Sequence, residues 1–149
     1  MSQLMRTLSV TVCCLMLTAC DDPFIFMSGG ALSGTVSELP TSWQLEEETG
    51  LAQLETRAED PYSINLAYVQ LDGGFYFYAG DTRTNCVKHI EQNPLVRIRV
   101  GETIYPGRAV RVTSDQEIAS FADIWVRGSM FQRDPRNFEE VWLYRLESR

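Results

Sequence analysis

The segment Gln70–Gly80, QLDGGFYFYAG, carries the strongest fold signal in the chain. Its Asp-Gly-Gly triplet contains residues that tolerate positive φ, which is typical of the tight turn of a β-hairpin. Phe75–Tyr78 has the aromatic side chains that strands favour, and Ser63–Leu71 before the turn supplies the partner strand. Because aromatic residues fall on both faces of the second strand, we expect both faces to be covered, or one face to be kept for a flat ligand.

A helix and a regular strand are predicted directly after this hairpin. Residues 82–92 favour a helix that Asp81 or Thr82 caps and that Asn93–Pro94 ends. Leu95–Val100 alternates strictly between apolar and polar residues, which indicates a strand with one buried face. The remaining predicted elements are strands at Ala31–Val36, Leu51–Thr56, Thr103–Tyr105, Arg108–Thr113 and Glu140–Leu146, a second helix at Gln116–Val126 and a loop at Arg127–Asn137.

Short connections join most of these strands, which favours antiparallel pairing. We therefore predict a mainly β domain with two helices, folded as a small closed or half-closed barrel rather than a doubly wound sheet. The chain of 149 residues has the size of one domain, and its 44% of hydrophobic residues can fill a core. Its formal charge of −7 and its single lysine, Lys88, argue against a nucleic-acid binder that works through a broad cationic surface.

The N-terminal segment has the layout of a secretory signal. Arg6 precedes a largely apolar stretch at residues 8–17, which is shorter than the about 20 residues that a membrane-spanning helix needs. The stretch ends in Leu17–Cys20, LTAC, which resembles the lipobox of bacterial lipoproteins. The resemblance implies cleavage before Cys20 and lipidation of that cysteine, and several acyl chains together give stable membrane attachment. The alternative is a secretory peptide in which the cysteine occurs by chance.

The predicted division of the chain follows from this lipobox. The parts are a signal peptide at residues 1–19, a lipidated N terminus and tether at residues 20–34, and the barrel domain at residues 35–149. Asp21 resembles the signal that retains lipoproteins in the inner membrane, so we expect the protein on the periplasmic side of that membrane in a bacterial cell envelope. With Cys20 lipidated, Cys86 has no partner for a disulfide and is predicted to be a small buried residue.

The order of these elements resembles a known superfamily. The hairpin at residues 72–80, the helix after it, Asn93–Val100, Gly107–Val112 and Trp142–Leu146 are together similar to the pyridoxamine 5′-phosphate oxidase-like split β-barrels, including their deazaflavin-dependent relatives. The similarity covers most of residues 51–146. It implies a six-stranded antiparallel split β-barrel of the FMN-binding type, which forms a homodimer and binds FMN or a deazaflavin in grooves at the dimer interface.

The same resemblance implies a phosphate site near the start of the first helix. Arg57 falls where relatives often have a phosphate-facing cation, and Lys88 where they often place a helix cation. Residues 84–86 align with a Ser-Arg-Lys pattern, so neutral residues replace two cations. Arginines, hydroxyl groups and a helix N terminus suit a dianionic phosphate. The predicted cofactor-binding residues are Arg57, Thr82, Arg83, Thr84 and Lys88.

Ion pairs are the alternative role for the arginines of this set and of the strands. The candidate partners are Glu55, Glu59 and Asp60 for Arg57, and Asp81 for Arg83. Alternation places Arg97 and Arg99 on one face of their strand, and Arg111 is expected beside them on the next strand. These three arginines form either a ligand or dimer contact, or an outer face that acidic residues neutralise across the strands.

No catalytic residue can be assigned from the sequence, so any chemistry would come mainly from a cofactor. His89, the only histidine, lies near Cys86, but two ligands make no metal site, and we expect this histidine to be solvent-exposed. Two classes of function remain. One is a membrane-anchored flavin or deazaflavin oxidoreductase that transfers a hydride to or from a small substrate. The other is a non-catalytic split-barrel lipoprotein that binds a small molecule or a partner.

Overall fold

The computed structural model describes Pro23, residues 27–128 and residues 132–149. The predicted signal peptide and the predicted lipidation site Cys20 lie outside the described residues. The described part contains seven strands, two α-helices and one 3-10 helix. The strands are β1 (Thr35–Val36), β2 (Thr49–Thr56), β3 (Tyr62–Leu71), β4 (Gly74–Tyr78), β5 (Leu95–Val100), β6 (Thr103–Arg111) and β7 (Leu143–Glu147). The helices are α1 (Asn85–Gln92), α2 (Asp115–Gly128) and the 3-10 helix (Pro135–Asn137).

Six of the strands close into an antiparallel barrel. Their order is β6-β5-β2-β3-β4-β7, and β7 pairs back onto β6 with Ala109 opposite Leu146. The short strand β1 is an addition that pairs parallel to β6, with Thr35 opposite Thr103. This architecture confirms the predicted fold class, which is mainly β with two helices and a six-stranded antiparallel barrel.

The hairpin between β3 and β4 forms as predicted. Asp72 and Gly73 have φ values of 50° and 74°, so both central residues of the turn lie in the left-handed region that Asp-Gly sequences tolerate. The two strands then pair with Val69 opposite Tyr76. This turn therefore fixes which side chains of β4 point into the barrel and which point out of it.

Hydrophobic cores cover both faces of β4, as expected from its aromatic residues. Phe75 and Phe77 are fully buried inside the barrel, together with Leu54 of β2 and Ile98 of β5. On the outer face, helix α2 packs over the sheet and forms a second core. The buried members of this outer core are Val69, Tyr76, Val112, Phe121, Ile124, Trp125 and Leu143.

Strand β6 is longer than predicted. The sequence indicated separate strands at Thr103–Tyr105 and Arg108–Thr113, but β6 continues through Pro106. The backbone N–H of Ala109 donates toward the β5 side, to the carbonyl of Pro94 at 2.8 Å. Because strand backbones alternate, the nitrogen of Pro106 points to the opposite edge, between the pairings of β6 with β1 and with β7. A proline at this position therefore costs the pairing of β6 with β5 no hydrogen bond.

Helix α1 begins later than predicted. Its first residue is Asn85 rather than residue 82, and its N-cap is Thr84 rather than Asp81 or Thr82. The cause is burial, because starting there places the apolar side chains of α1 against the barrel core. Other boundaries shift as well. Strand β1 covers only the end of the predicted Ala31–Val36, and β7 begins later than predicted. A 3-10 helix forms inside the predicted loop Arg127–Asn137.

The described residues before β1 pack against the barrel. Pro23 is buried, and Gly29 exchanges two backbone hydrogen bonds of 2.8 and 2.9 Å with Ser63 on β3. Leu32 is also buried, and its backbone N–H donates to Glu55 at 2.6 Å. The predicted division into residues 1–19, 20–34 and 35–149 stays a prediction. In the part of the chain that the structure describes, no helix is long and apolar enough to span a membrane.

Candidate functional site

A cavity of about 390 Å³ opens where the barrel is split. Strand β4 pairs with β3 only from Tyr68 to Leu71, so it leaves the edge of β3 before Ala67. The chain after β4 turns away because Ala79 and Gly80 exchange backbone hydrogen bonds with Trp142, ahead of β7. Helix α1 then starts across the gap, and the gap between β3 and α1 is the cavity.

The wall of this cavity is mainly apolar and carries no charged side chain. Its aromatic residues are Tyr62 and Tyr78, and its polar residues, all neutral, are Asn65, Thr84 and Asn85. A few polar groups in an apolar wall are typical of small-molecule sites, whose volumes run from about 300 to 1,000 Å³. The lining residues are Leu54, Tyr62, Ile64, Asn65, Leu66, Ala67, Tyr78, Ala79, Thr84, Asn85 and Cys86.

Two groups of the wall, the Tyr78 phenol and the Cys86 thiol, have raised pKa values that favour their neutral forms. Burial raises the pKa of the Tyr78 phenol, and the negative charge of Asp81 raises it further. Burial also raises the pKa of the Cys86 thiol, although the hydroxyl of Thr84, 3.2 Å from the sulfur, partly offsets this effect. Cys86 is 4% exposed, which confirms the predicted small buried residue. A thiol held in this form is a poor nucleophile.

Arg57, a predicted phosphate ligand, lies beside the cavity and not in its wall. It follows the end of β2 with a φ of 57°. Its guanidinium contacts Asp60 at 3.1 Å and lies 5.8 Å from the centre of the Tyr62 ring, whose residue does line the cavity. The ion-pair role considered for this arginine is therefore present in the structure. Its role toward a cofactor stays a prediction.

The other predicted ligands surround the start of α1. Thr84 lines the cavity, and its backbone N–H donates a hydrogen bond to the carbonyl of Thr82 at 2.9 Å. Arg83 donates to Glu91 at 2.6 Å rather than pairing with Asp81. Lys88 is exposed on α1 and does not line the cavity. The structure thus brings the five predicted residues to one end of the barrel but places only Thr84 in the cavity wall.

His89 lies behind the cavity wall, and its predicted solvent exposure is wrong. Its ring is partly buried, with Nδ1 3.0 Å from the hydroxyl of Thr56 and the ring centre 5.0 Å from that of Tyr62. Burial lowers the pKa of His89, and the positive charge of Arg57 lowers it further. An imidazole with a lowered pKa therefore packs edge-on against Tyr62, a residue of the cavity wall.

The arginines on the strands have structural partners. Arg97 lies opposite Glu55 in the register of β2 and β5, and its Nη1 contacts the two carboxylate oxygens at 2.9 and 3.0 Å. Arg99 donates to the carbonyl of Ser33 at 2.7 Å. For Arg97, the contact with Glu55 confirms the prediction that acidic residues neutralise this outer face across the strands. The expected position of Arg111 beside them is wrong, because its guanidinium lies 3.7 Å from the centre of the Trp142 ring, near β7.

Tyr62, Asn65 and Tyr78 are the cavity residues that sequence reasoning missed. Asn65 holds a further contact, since its side-chain N–H donates to the carbonyl of Pro23 at 3.2 Å. Alternation along β3 and β4 is the only sequence signal these residues give. It does not reveal where β4 leaves β3, and that departure is what opens the wall.

No protein-family model matches the chain, and no curated protein matches its sequence. Among the described residues, no cluster of three or more metal-ligating side chains is present. Other cavities of about 440, 490 and 530 Å³ have charged residues in their walls. In the cavity of about 490 Å³, Arg136 contacts Asp123 and Asp134, and in that of about 530 Å³, Arg145 contacts Glu117. The cavity in the split of the barrel is taken as the candidate site because no charged residue lines it.

Proposed function

We propose that the protein is a ligand-binding barrel that holds a small, uncharged, ring-bearing molecule in the split between β3 and α1. The observation that carries the proposal is the cavity wall, which contains two tyrosines and three neutral polar residues but no charged residue. Burying an unpaired charge against such a wall would be costly, whereas a flat ring gains contact area. Lipidation at Cys20 would hold this module on the periplasmic side of the inner membrane.

A flavin or deazaflavin oxidoreductase is the second candidate. Helix α1 favours it, because its N-cap Thr84 makes no side-chain capping bond and its first backbone N–H groups border the cavity. The ring system would occupy the cavity, and a phosphate would lie at this helix end near Thr82 and Arg83. Arg57 and Arg83 would first have to leave their exposed ion pairs, which costs little. The bound cofactor would supply hydride transfer, and the chain would position and shield it.

The experiment that tests the proposal follows the melting temperature of the protein with lumichrome, riboflavin, FMN and a deazaflavin. A ligand that binds only the folded state raises this temperature. We expect the uncharged ring of lumichrome to do so. Ala79→Trp, which fills the cavity, should abolish the effect. The matched variant Ala119→Trp, on α2 and outside this cavity, should keep it.

The double variant Arg57→Ala with Arg83→Ala separates the two candidates. For an uncharged ligand it should change nothing. If FMN binds through both arginines, each charge-assisted contact contributes roughly 1.5–3 kcal/mol, so affinity should fall by about two to four powers of ten. Tighter binding of FMN than of riboflavin, lost in the double variant, would favour the oxidoreductase. Failure of all four compounds to stabilise the protein would overturn both candidates.

A further inference from the structure

The chain before β1 is fastened to the rim of the cavity. Asn65 is one of the residues that line the cavity, its side-chain N–H donates to the carbonyl of Pro23 at 3.2 Å, and Pro23 is buried. Gly29 is then held by two backbone hydrogen bonds to Ser63 on the same strand. Both contacts lie on the part of β3 that β4 leaves, so this segment and the cavity share one edge of the barrel.

This attachment limits how far the cavity can lie from the predicted lipid anchor. Pro23 lies three positions after Cys20, and an extended chain covers at most about 11 Å over three residue steps. The polar layer on each side of a bilayer core is about 5–8 Å thick. With Cys20 acylated, the rim of the cavity at Asn65 therefore lies within or directly against the headgroup layer.

We propose that the ligand of this cavity is an uncharged, ring-bearing molecule dissolved in the bilayer, which enters the cavity from the membrane side. The inference rests on the proposed function and on the predicted lipidation of Cys20. The uncharged wall selects molecules that prefer an apolar phase, and such molecules concentrate in the bilayer. A cavity rim tied close to the anchor meets them there at a higher concentration than in the aqueous compartment.

The opposite end of the barrel provides an internal reference for this orientation. Glu48 is exposed directly before β2, and its backbone carbonyl accepts a hydrogen bond from the N–H of Gln70, near the end of β3. Glu48 therefore lies at the far end of β3 from Tyr62, the first residue of that strand. A membrane-facing cavity predicts that Glu48 points away from the lipid.

The first test measures the orientation alone. The mature lipidated protein is placed in phosphatidylcholine vesicles that contain a nitroxide-headgroup lipid, with an NBD fluorophore on Asn85→Cys or, as the matched control, on Glu48→Cys. The buried Cys86 and the acylated Cys20 stay unlabelled. We expect at least threefold stronger quenching at position 85 than at position 48. Equal quenching at the two positions would overturn the membrane-facing cavity without affecting ligand binding.

The second test measures the route of the ligand. Lumichrome in water and a dodecyl-substituted lumichrome dissolved in the vesicles are compared for binding to the same lipidated protein and to its Ala79→Trp variant. We expect the vesicle-borne probe to saturate the cavity in proportion to its mole fraction in the lipid, and the variant to lose binding. Binding of aqueous lumichrome alone would overturn the membrane route and leave the proposed function standing. Binding of neither probe would overturn the proposed function itself.

Discussion

Glu55 joins three parts of the molecule through one carboxylate. Arg97 of β5 contacts its two oxygens, and the backbone N–H of Leu32, from the segment before β1, donates to Oε2 at 2.6 Å. Glu55 is only 3% exposed, whereas the Arg97 side chain is 28% exposed. The cationic side of this pair therefore keeps some contact with water, which limits its desolvation cost. The pair fixes the N-terminal segment over the outer face of β2 and β5.

Replacing Glu55 by Gln should lower the free energy of unfolding by about 2–3 kcal/mol, because it leaves Arg97 without its counter-charge in a partly buried position. Urea denaturation measures the change. Asp60→Asn is the matched control, since it removes an ion pair to Arg57 in which Asp60 is 83% exposed, and it should cost less than about 1 kcal/mol. Similar effects of the two substitutions would contradict a structural role for the Glu55–Arg97 pair.

His89 should make the stability of the protein depend on pH. Its pKa in the folded state is lower than the ordinary value of 6.5, so the folded chain binds fewer protons than the unfolded chain below that pH. The stabilisation is complete above pH 6.5 and is lost as the pH falls through the lowered folded value. His89→Gln should flatten this part of the profile while keeping a polar group near Thr56. The test compares the urea unfolding midpoints of the parent and the variant between about pH 5 and 8. If the midpoint depends on pH equally in both, His89 is not the group responsible.

At the level of elements, the start of α1 shows what local signals leave open. Asp81, Thr82 and Thr84 are all good N-cap residues within four positions, so propensity alone does not choose among them. The choice of Thr84 follows from the burial of Cys86 and Val87 in the barrel core. Leu95–Val100 was predictable because one face of β5 lies inside the barrel and the other carries the polar residues of the outer face.

Gly107 tests the closure of the barrel between β6 and β7. A Cβ at this residue would lie 2.7 Å from Leu146 Cδ1 and 3.0 Å from the carbonyl oxygen of Glu147, so β7 would have to shift. Gly107→Ala should destabilise the fold by about 1–3 kcal/mol in urea denaturation. Gly128→Ala is the control, because its Cβ would meet side-chain atoms alone, the Gln132 amide oxygen at 3.1 Å and the Thr49 hydroxyl at 3.7 Å, and it should change stability by less than about 1 kcal/mol. Equal losses would mean that Gly107 does not control closure.

At the scale of the whole molecule, the barrel was predictable and its cavity was not. Short connections and alternating strands indicate an antiparallel barrel with two helices, whichever residues fill it. The cavity wall combines residues of β2, β3, the segment after β4 and the start of α1. Its existence depends on where β4 leaves β3, which is set by hydrogen bonds of Ala79 and Gly80 to Trp142, 62 or more residues away. No local pattern encodes such a contact.

The homodimer implied by the superfamily resemblance stays a prediction. The aromatic residues do not require it, because those of β4 and α2 are used in the two cores. Leu51 on β2 is 79% exposed and is the apolar side chain that a second copy would cover. We expect sedimentation velocity to show a dimer for a chain that begins after Cys20. The substitution Leu51→Asp should dissociate this dimer, whereas Val36→Asp should not. A monomer at micromolar concentration would contradict the dimer and any ligand site at its interface.

The predicted lipidation of Cys20 would attach the whole barrel to a membrane. Signal peptidase of the lipoprotein type acts only after the thiol is alkylated, as the lipobox resemblance implies, so Cys20→Ser should accumulate as an unprocessed precursor that retains residues 1–19. The parent protein should partition into detergent and carry the mass of its acyl chains. Intact mass spectrometry measures both outcomes.

Cys86→Ser is the matched control for this substitution, because it changes a cysteine that is 4% exposed and lies inside the barrel. It should leave processing, acyl mass and detergent partitioning unchanged. A processed parent protein without acyl mass would contradict lipidation. The domain would then have no lipid anchor at Cys20, and the segment held at Pro23 would not tie the cavity rim to the bilayer. Because the chain from Cys20 to Pro23 spans at most about 11 Å, lipidation would bring the rim of the cavity close to the lipid, and its loss would remove the reason for a membrane-facing cavity.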